Sequence, residues 1–264
     1  MSVLAEHATK SGIVDMAYQQ EPESILYMVR ADGVMATMTV DRDQDVIGWA
    51  RQITDGAYES AAAIPTASGD QVWVLVRRTI NGQNVRYIER FTAGVRVDSG
   101  VNATDATGKT VWGGLSHLEG KMVDIVADGV VMQQQQVVGG QVTIPRNAKE
   151  TSIGLNFKTL IKTLTPEAAG NTGSSQGNSM RIGEVSLRFL DTTGCKVKGK
   201  GVAQTISFRN LGEGVLDQPP DNFVGVKRLE NLGWERGEAT LEIMQDQPLP
   251  FPLLNVIKKI TIND

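Results

Sequence analysis

The feature that most constrains this chain is a series of short apolar runs separated by two-residue turn signals. The dipeptides Asp32-Gly33, Asn81-Gly82, Asp128-Gly129 and Gly139-Gly140 each stand between two such runs. These residue types favour tight hairpin turns because they tolerate positive φ better than other residues do. Short apolar runs bounded by such turns predict antiparallel strands rather than helices. We therefore predict an all-β protein.

The first ninety-five residues contain a repeat. The run Ile25–Arg30 aligns with Val72–Arg77 at an offset of 47 residues, and Gly33 aligns with Gly82 at an offset of 49 residues. A period of about 40–50 residues that holds about four strands is typical of a β-propeller blade. Four strands are expected in the first unit and three in the second, which is too few to close a ring. We predict propeller-blade-like repeats over residues 1–95.

Residues 96–264 are expected to form a β-sandwich or a barrel-like domain. Residues 94–112 are polar and are predicted to be irregular, and a three-strand meander is predicted over 122–145. The segment 166–179 is rich in Gly, Asn, Ser and Thr, so it buries too little apolar area to offset the entropy of ordering. We predict a mobile surface loop there. Further strands are predicted at 153–164, 182–190, 201–208, 237–245 and 253–262.

Composition excludes several classes of protein. A formal net charge of −4 and a pI near 5.4 argue against a protein that grips phosphates, although not against one past which DNA slides. The single cysteine, Cys195, cannot form an internal disulfide. No run approaches the roughly 20 apolar residues of a membrane-spanning helix, and the N-terminus shows no signal-peptide pattern. We expect a protein made and folded in a reducing cytoplasm.

Three strings resemble chemical motifs, and each lacks an essential part. Gly194–Gly201 has the spacing of a phosphate loop, but Gly201 stands where Ser or Thr must hold the metal ion. Gly173–Gly177 matches GxSxG, but it lies in a loop-like segment without the strand and helix that a nucleophile elbow needs. Asp41–Asp45 resembles the start of a calcium loop, but Val46 and Gln52 occupy the glycine and glutamate positions. We expect ordinary turns at all three places.

The remaining polar candidates have structural interpretations. His7 and His117 are too few to build a zinc site with Cys195, and His117 is expected to pair with Glu119 or to cap a turn. Asp105–Trp112 is similar to the aspartate box of sialidase propellers. Its spacing differs from that box by one residue on each side of the glycine-threonine portion. We therefore nominate no catalytic, cofactor-binding or metal-ligating residue, and no cofactor. The tryptophans are interpreted as scattered core residues: Trp49, Trp73, Trp112 and Trp234.

Three stretches together resemble the tail tubular protein B, or nozzle, family of short-tailed bacteriophages. The first stretch is Gly12–Pro22 with Tyr27–Gly33, the second is Gln71–Phe91, and the third is Gly114–Lys121 with Ala127–Gly129. The resemblance covers about the first 165 residues. Family members are much longer, so this chain is expected to match a C-terminal portion that begins inside the repeat.

The resemblance implies a structural component of the virion rather than an enzyme. Such a protein forms a homo-oligomeric ring, usually sixfold, at the distal end of the tail. It contributes to the DNA channel without binding DNA tightly, and it contacts other tail proteins. The expected location is the virion, after synthesis in the cytoplasm of the bacterial host. The resemblance assigns no interface residues.

Two alternatives remain open at this point. One is a glycosidase-like propeller protein, which needs two carboxylates about 5–10 Å apart. Asp15, Glu89 and Glu119 are the candidates, but the sequence does not show which of them lie together. The other is a carbohydrate-binding adhesin without catalysis.

Overall fold

The computed structural model describes residues 5–41, 43–167, 169–170, 173–174, 178–209, 218–230, 232, 234–236 and 239–263. Strands account for 61% of the structure and helices for 3%, so the all-β prediction is confirmed. The helical pieces among these residues are a single turn, α1 (Glu6–Thr9), and a 3-10 turn at Ser116–Leu118. The sheets are antiparallel and none of them closes into a barrel.

The first two sheets are meanders with the strands that the repeat predicts. The first sheet has the order β1-β2-β3-β4 and the second has the order β5-β6-β7. Four strands are thus followed by three, as expected, but propeller-like repeats are not confirmed. The bounds are β1 (Ile13–Gln19), β2 (Ile25–Arg30), β3 (Met35–Asp41), β4 (Val46–Gln52), β5 (Ala57–Ile64), β6 (Gln71–Ile80) and β7 (Gln83–Arg90).

These two sheets share one hydrophobic core. The residues that β2 and β6 bury in it occupy corresponding positions of the repeat. Tyr27 and Val29 on β2 lie in this core with Val74 and Val76 on β6. At the repeat offset these are corresponding positions, so equivalent faces meet. Side chains alternate between the two faces of a strand, so Trp73 belongs to the opposite face of β6. Trp73 is only half-buried, and its assignment to the core is therefore wrong.

Turns occur at all four predicted dipeptides, and three of them have the backbone of a type I′ turn. Positive φ occurs at both residues of Asn81-Gly82, Asp128-Gly129 and Gly139-Gly140, as a type I′ turn requires. In Asp32-Gly33 only the glycine has positive φ. There the Gly33 N–H donates to the Arg30 carbonyl at 3.0 Å, and the Arg30 N–H donates to the Val34 carbonyl at 3.0 Å. The loop is longer than a two-residue hairpin, which removes the need for positive φ at Asp32.

A third sheet follows, and it corrects the prediction for residues 94–112. These residues include a 15-residue strand, β8 (Asp98–Trp112), which pairs along its length with β12 (Val142–Leu155). One face of β8 is open to solvent, so its polar composition is compatible with a strand.

The meander predicted over 122–145 is also modified. After the turn at Asp128-Gly129, the chain pairs with β9 through two separate short strands instead of one long strand. These strands are β9 (Met122–Ala127), β10 (Val130–Val131) and β11 (Gln135–Gln136).

Two further sheets face each other across a separate core at the C-terminal end. One has the order β13-β21-β17-β18, and the other is built on β16, which pairs with β19, β20 and β22. Met180, Leu187 and Phe189 of β16 lie in this core with Val197 and Ile243 from the opposing sheet. The bounds are β13 (Thr159–Lys162), β16 (Ser179–Thr192), β17 (Cys195–Lys198), β18 (Gln204–Ile206), β19 (Phe223–Glu230), β20 (Trp234–Arg236), β21 (Glu242–Gln245) and β22 (Leu253–Asn263).

The predicted mobile loop at 166–179 falls partly outside the described residues. Within it, β14 (Ala169–Gly170) pairs with β15 (Gly173–Ser174), and Ser179 begins β16. The strand at Phe223–Glu230 was not predicted. The positions that alternate toward the C-terminal core are Phe223, Gly225, Lys227 and Leu229, and only the first and last of these carry an apolar side chain.

Close packing at Gly154 generates a first testable prediction. A Cβ atom at this position in β12 would lie 2.7 Å from the Asp98 carbonyl oxygen and 2.8 Å from the Gly100 Cα atom. Because these are backbone atoms, they cannot move aside cheaply. We expect Gly154→Ala to lower the free energy of unfolding by about 1–3 kcal/mol, measured by urea denaturation. Gly183→Ala is the matched control, since its Cβ would approach nothing closer than 3.8 Å. Equal midpoints for the two variants would contradict the prediction.

Candidate functional site

The most unusual group in the described structure is the buried guanidinium of Arg78. Arg78 lies on β6 in the same alternation as the core valines, so its side chain points inward and is 0% exposed. Its five N–H groups make five hydrogen bonds, which is the full capacity of a guanidinium. A buried charge is tolerated only when it is paired and hydrogen-bonded in this way.

The partners of Arg78 come from three separate parts of the chain. Its Nε and Nη2 donate to the two carboxylate oxygens of Glu89, each at 2.7 Å, and Nη2 also donates to Asp98 Oδ1 at 3.0 Å. Nη1 donates to Thr54 Oγ1 at 2.7 Å and to the Asp55 carbonyl at 2.9 Å. The Arg78 side chain therefore binds three segments: the residues after β4, the end of β7 and the start of β8.

Smaller contacts extend this network. The Thr54 hydroxyl donates to Asp98, and the Ser99 hydroxyl donates to Glu89 Oε1 at 2.9 Å. The Nε2 atom of His117 donates to the Ser99 carbonyl at 2.9 Å, and its ring lies edge-on to Tyr87. These contacts join the second sheet to the third.

Electrostatics within the network favour the charged guanidinium. Burial by itself lowers the pKa of Arg78, but hydrogen bonds and attraction from Glu89 and Asp98 outweigh burial and raise the pKa above its ordinary value. Nearby, burial is the main cause that raises the pKa of Tyr58, and Asp98 adds to it. Tyr58 therefore remains a neutral phenol in any ordinary buffer.

A cleft of about 670 Å³ opens beside this network. Glu89, Asp98 and His117 line it, with side chains from β4, β7 and the segment that leads into β8. The volume falls in the ordinary range for small-molecule sites, about 300–1,000 Å³. The side chains of Glu89 and Asp98 are 17% and 18% exposed, so each is reachable from the cleft.

The chemistry of the two carboxylates is limited by Arg78. A glycosidase of the usual kind needs one carboxylic acid in its protonated form to donate to the leaving group. Glu89 and Asp98 instead accept hydrogen bonds from Arg78. Both carboxylates share one guanidinium nitrogen, so these contacts position them as hydrogen-bond acceptors.

The three carboxylates considered for a glycosidase do not come together. Asp15 Oδ2 accepts from the Ser60 hydroxyl at 2.6 Å and from the Ala61 N–H at 3.1 Å, which links β1 to β5. Glu119 accepts from the N–H groups of Gly139 and Gly140 at 2.9 and 2.7 Å, which holds a turn. Only Glu89 lines the cleft, and its acidic neighbour there is Asp98, which was not a candidate.

The motif-like strings lie at ordinary structural positions. Cys195–Lys198 of the phosphate-loop string forms strand β17 rather than the predicted turn, because Cys195 and Val197 alternate into the C-terminal core. Asp41 accepts from the N–H groups of Asp43 and Gln44 at 3.0 and 3.1 Å, as a turn between strands does. In the GxSxG string, Ser175 through Gly177 lie outside the described residues.

Two further sequence candidates make structural contacts. His117 contacts Ser99, and Glu119 contacts the glycine turn, so the expected pairing of these two residues is wrong. In Asp105–Trp112 the Asp105 carboxylate accepts from the Thr107 N–H and hydroxyl. Trp112 itself is buried in the core of the third sheet, with Ile125 and Ile144, as predicted for it.

Three further findings concern metal sites, membrane-spanning helices and known protein families. Across the part of the chain that the structure describes, no group of three or more His, Cys, Asp and Glu side chains is arranged to hold a metal ion. Among the same residues, no helix is long and apolar enough to cross a membrane. No protein-family model matches the chain, and no curated protein matches it.

Sequence reasoning missed Arg78 and Asp98, although one signal was present for Arg78. Positions 72, 74, 76, 78 and 80 share a face of the strand, and four of them are Val or Ile. An arginine in that alternation indicates a buried charge that requires acidic partners. No comparable signal marks Asp98, because it opens a strand that the sequence did not predict.

Replacing Arg78 tests the network directly. Arg78→Met keeps the apolar stem but leaves Glu89 and Asp98 without their cation, so we expect a loss of about 3–5 kcal/mol in the free energy of unfolding. Urea denaturation followed by tryptophan fluorescence measures it. The control is Arg86→Met, because Arg86 pairs with Glu59 at the surface and such pairs contribute about 0–1 kcal/mol. A loss as small as that of the control would rule out the network as a structural junction.

Asp15 generates a pH-dependent prediction. The hydrogen bonds from Ser60 and from the Ala61 N–H lower the pKa of Asp15 in the folded state. Its contribution is therefore complete above the unfolded pKa of about 3.9 and is lost as the pH falls through the lower folded pKa. We expect Asp15→Asn to destabilise the protein by less than about 1 kcal/mol at pH 7, and the difference to disappear near pH 2–3. Urea midpoints at both pH values measure this, with exposed Asp221→Asn as the control. A destabilisation by Asp15→Asn that is the same at both pH values would contradict the prediction.

Proposed function

We propose that this protein is a non-catalytic structural component of a bacteriophage tail, of the tubular or nozzle type. In the virion it forms a ring with further copies of itself, contributes to the channel through which DNA passes, and contacts other tail proteins. The blade-like spacing of residues 1–95 then represents a repeated meander unit of the tail protein.

One observation carries the proposal. The three stretches on which the resemblance rests are far apart in sequence but adjacent in space. Tyr27 of the first stretch and Val74 of the second lie in one core, and Tyr87 of the second stretch contacts His117 of the third. The resemblance therefore follows one continuous part of the fold rather than scattered strand residues.

The chemistry of the cleft supports a role without catalysis. Its two carboxylates are occupied by Arg78, and the candidate motifs lie at structural positions. The net charge of −4 also suits a channel protein, since an acidic protein does not hold passing DNA through its phosphates.

The experiment is to locate the protein in phage particles. Antibodies raised against the purified chain are applied to virions and viewed by electron microscopy with gold-labelled secondary antibodies. We expect labelling at the distal end of the tail, and blocking by excess purified chain is the control. Labelling of the capsid alone, or label that excess chain does not block, contradicts the proposal.

A further inference from the structure

We propose that the cleft between β7 and β8 binds a neutral saccharide. This inference goes beyond the structural role in a tail, and neither depends on the other. It rests on the cavity beside Arg78, on the balance of charge around that cavity, and on the combination of buried acceptors with exposed apolar side chains at its opening.

The charges around the cleft favour an uncharged ligand. The acidic side chains that line the cleft are Glu89 and Asp98, and Arg78 lies directly behind them. The Arg90 guanidinium lies over the Trp73 ring, on the face of the sheet opposite to Glu89. An anion would meet the carboxylates, whereas a cation would compete with a guanidinium that is already held by five hydrogen bonds.

Polar groups in the cleft match the hydroxyl groups of a sugar. The carboxylates of Glu89 and Asp98 keep acceptor capacity after binding Arg78, because a carboxylate has about four lone-pair positions. Gln52, Thr92 and Ser99 also line the cleft and supply side-chain donors and acceptors. A purely apolar ligand would bury these groups without partners, which is costly. A polyhydroxylated ligand satisfies them.

Apolar side chains at the opening match the C–H faces of a sugar ring. Phe157 is 41% exposed and Ile53 is 64% exposed, and both line the cleft. A few placed polar groups within a mainly apolar lining are typical of small-molecule sites. Binding without hydrolysis is expected, because both carboxylates share Arg78.

The first experiment uses the full chain on a printed array of neutral and anionic oligosaccharides. We expect binding to neutral members and none that is restricted to sialylated, uronic acid or phosphorylated members. The strongest neutral binder is then titrated by calorimetry against the wild type and two variants, Phe157→Ala and Ile53→Ala. Because both side chains are exposed, the variants are expected to fold, and urea midpoints verify this.

The expected result is a loss of affinity of about tenfold in Phe157→Ala and a smaller loss in Ile53→Ala. Leu164→Ala is the matched control, since Leu164 is 88% exposed and does not line the cleft. Affinity that is unchanged in both cleft variants, array binding confined to anionic members, or no array binding at all would overturn the inference. So would calorimetric binding of an oligo-lysine peptide in place of any neutral saccharide. None of these results bears on where the protein lies in a virion.

Discussion

The guanidinium of Arg78 is the interaction on which the central part of this structure depends. It binds the segment after β4, the end of β7 and the start of β8, so it fixes where the second sheet stops and the third begins. The cost of burying a charge makes this junction specific rather than merely stable. If the strands shift by one residue, Arg78 points to the opposite face and two carboxylates lose their partner. Apolar packing alone would tolerate such a shift more easily.

Much of the fold could be predicted from the sequence, because turns and alternation are local properties. The strands of residues 1–95 and the turns at Asn81-Gly82 and Asp128-Gly129 follow from neighbouring residues alone. Strand β8 could not be predicted in this way, because its solvent face makes it polar and its pairing partner lies about 40 residues away in sequence. The convergence of Glu89 and Asp98 on Arg78 depends on how two sheets meet, and periodicity carries no information about that. Arg78 is an intermediate case, because the alternation along β6 predicts that its side chain is buried but not which residues it pairs with.

The cleft and the junction arise from the same arrangement. Glu89 and Asp98 both accept hydrogen bonds from Arg78 and both line the cleft, so the contacts that join the sheets also fix the positions of these acceptors. Such orientation reduces the entropic cost of binding. A ligand of the cleft would meet acceptors that the fold already holds in place.

The core shared by the first two sheets has a consequence for how the repeat can be extended. Because corresponding faces of the two units meet, both faces are buried in the shared core. They are covered within one chain, so neither face is open to a further copy. Any larger assembly of this protein must therefore use surfaces other than these two faces.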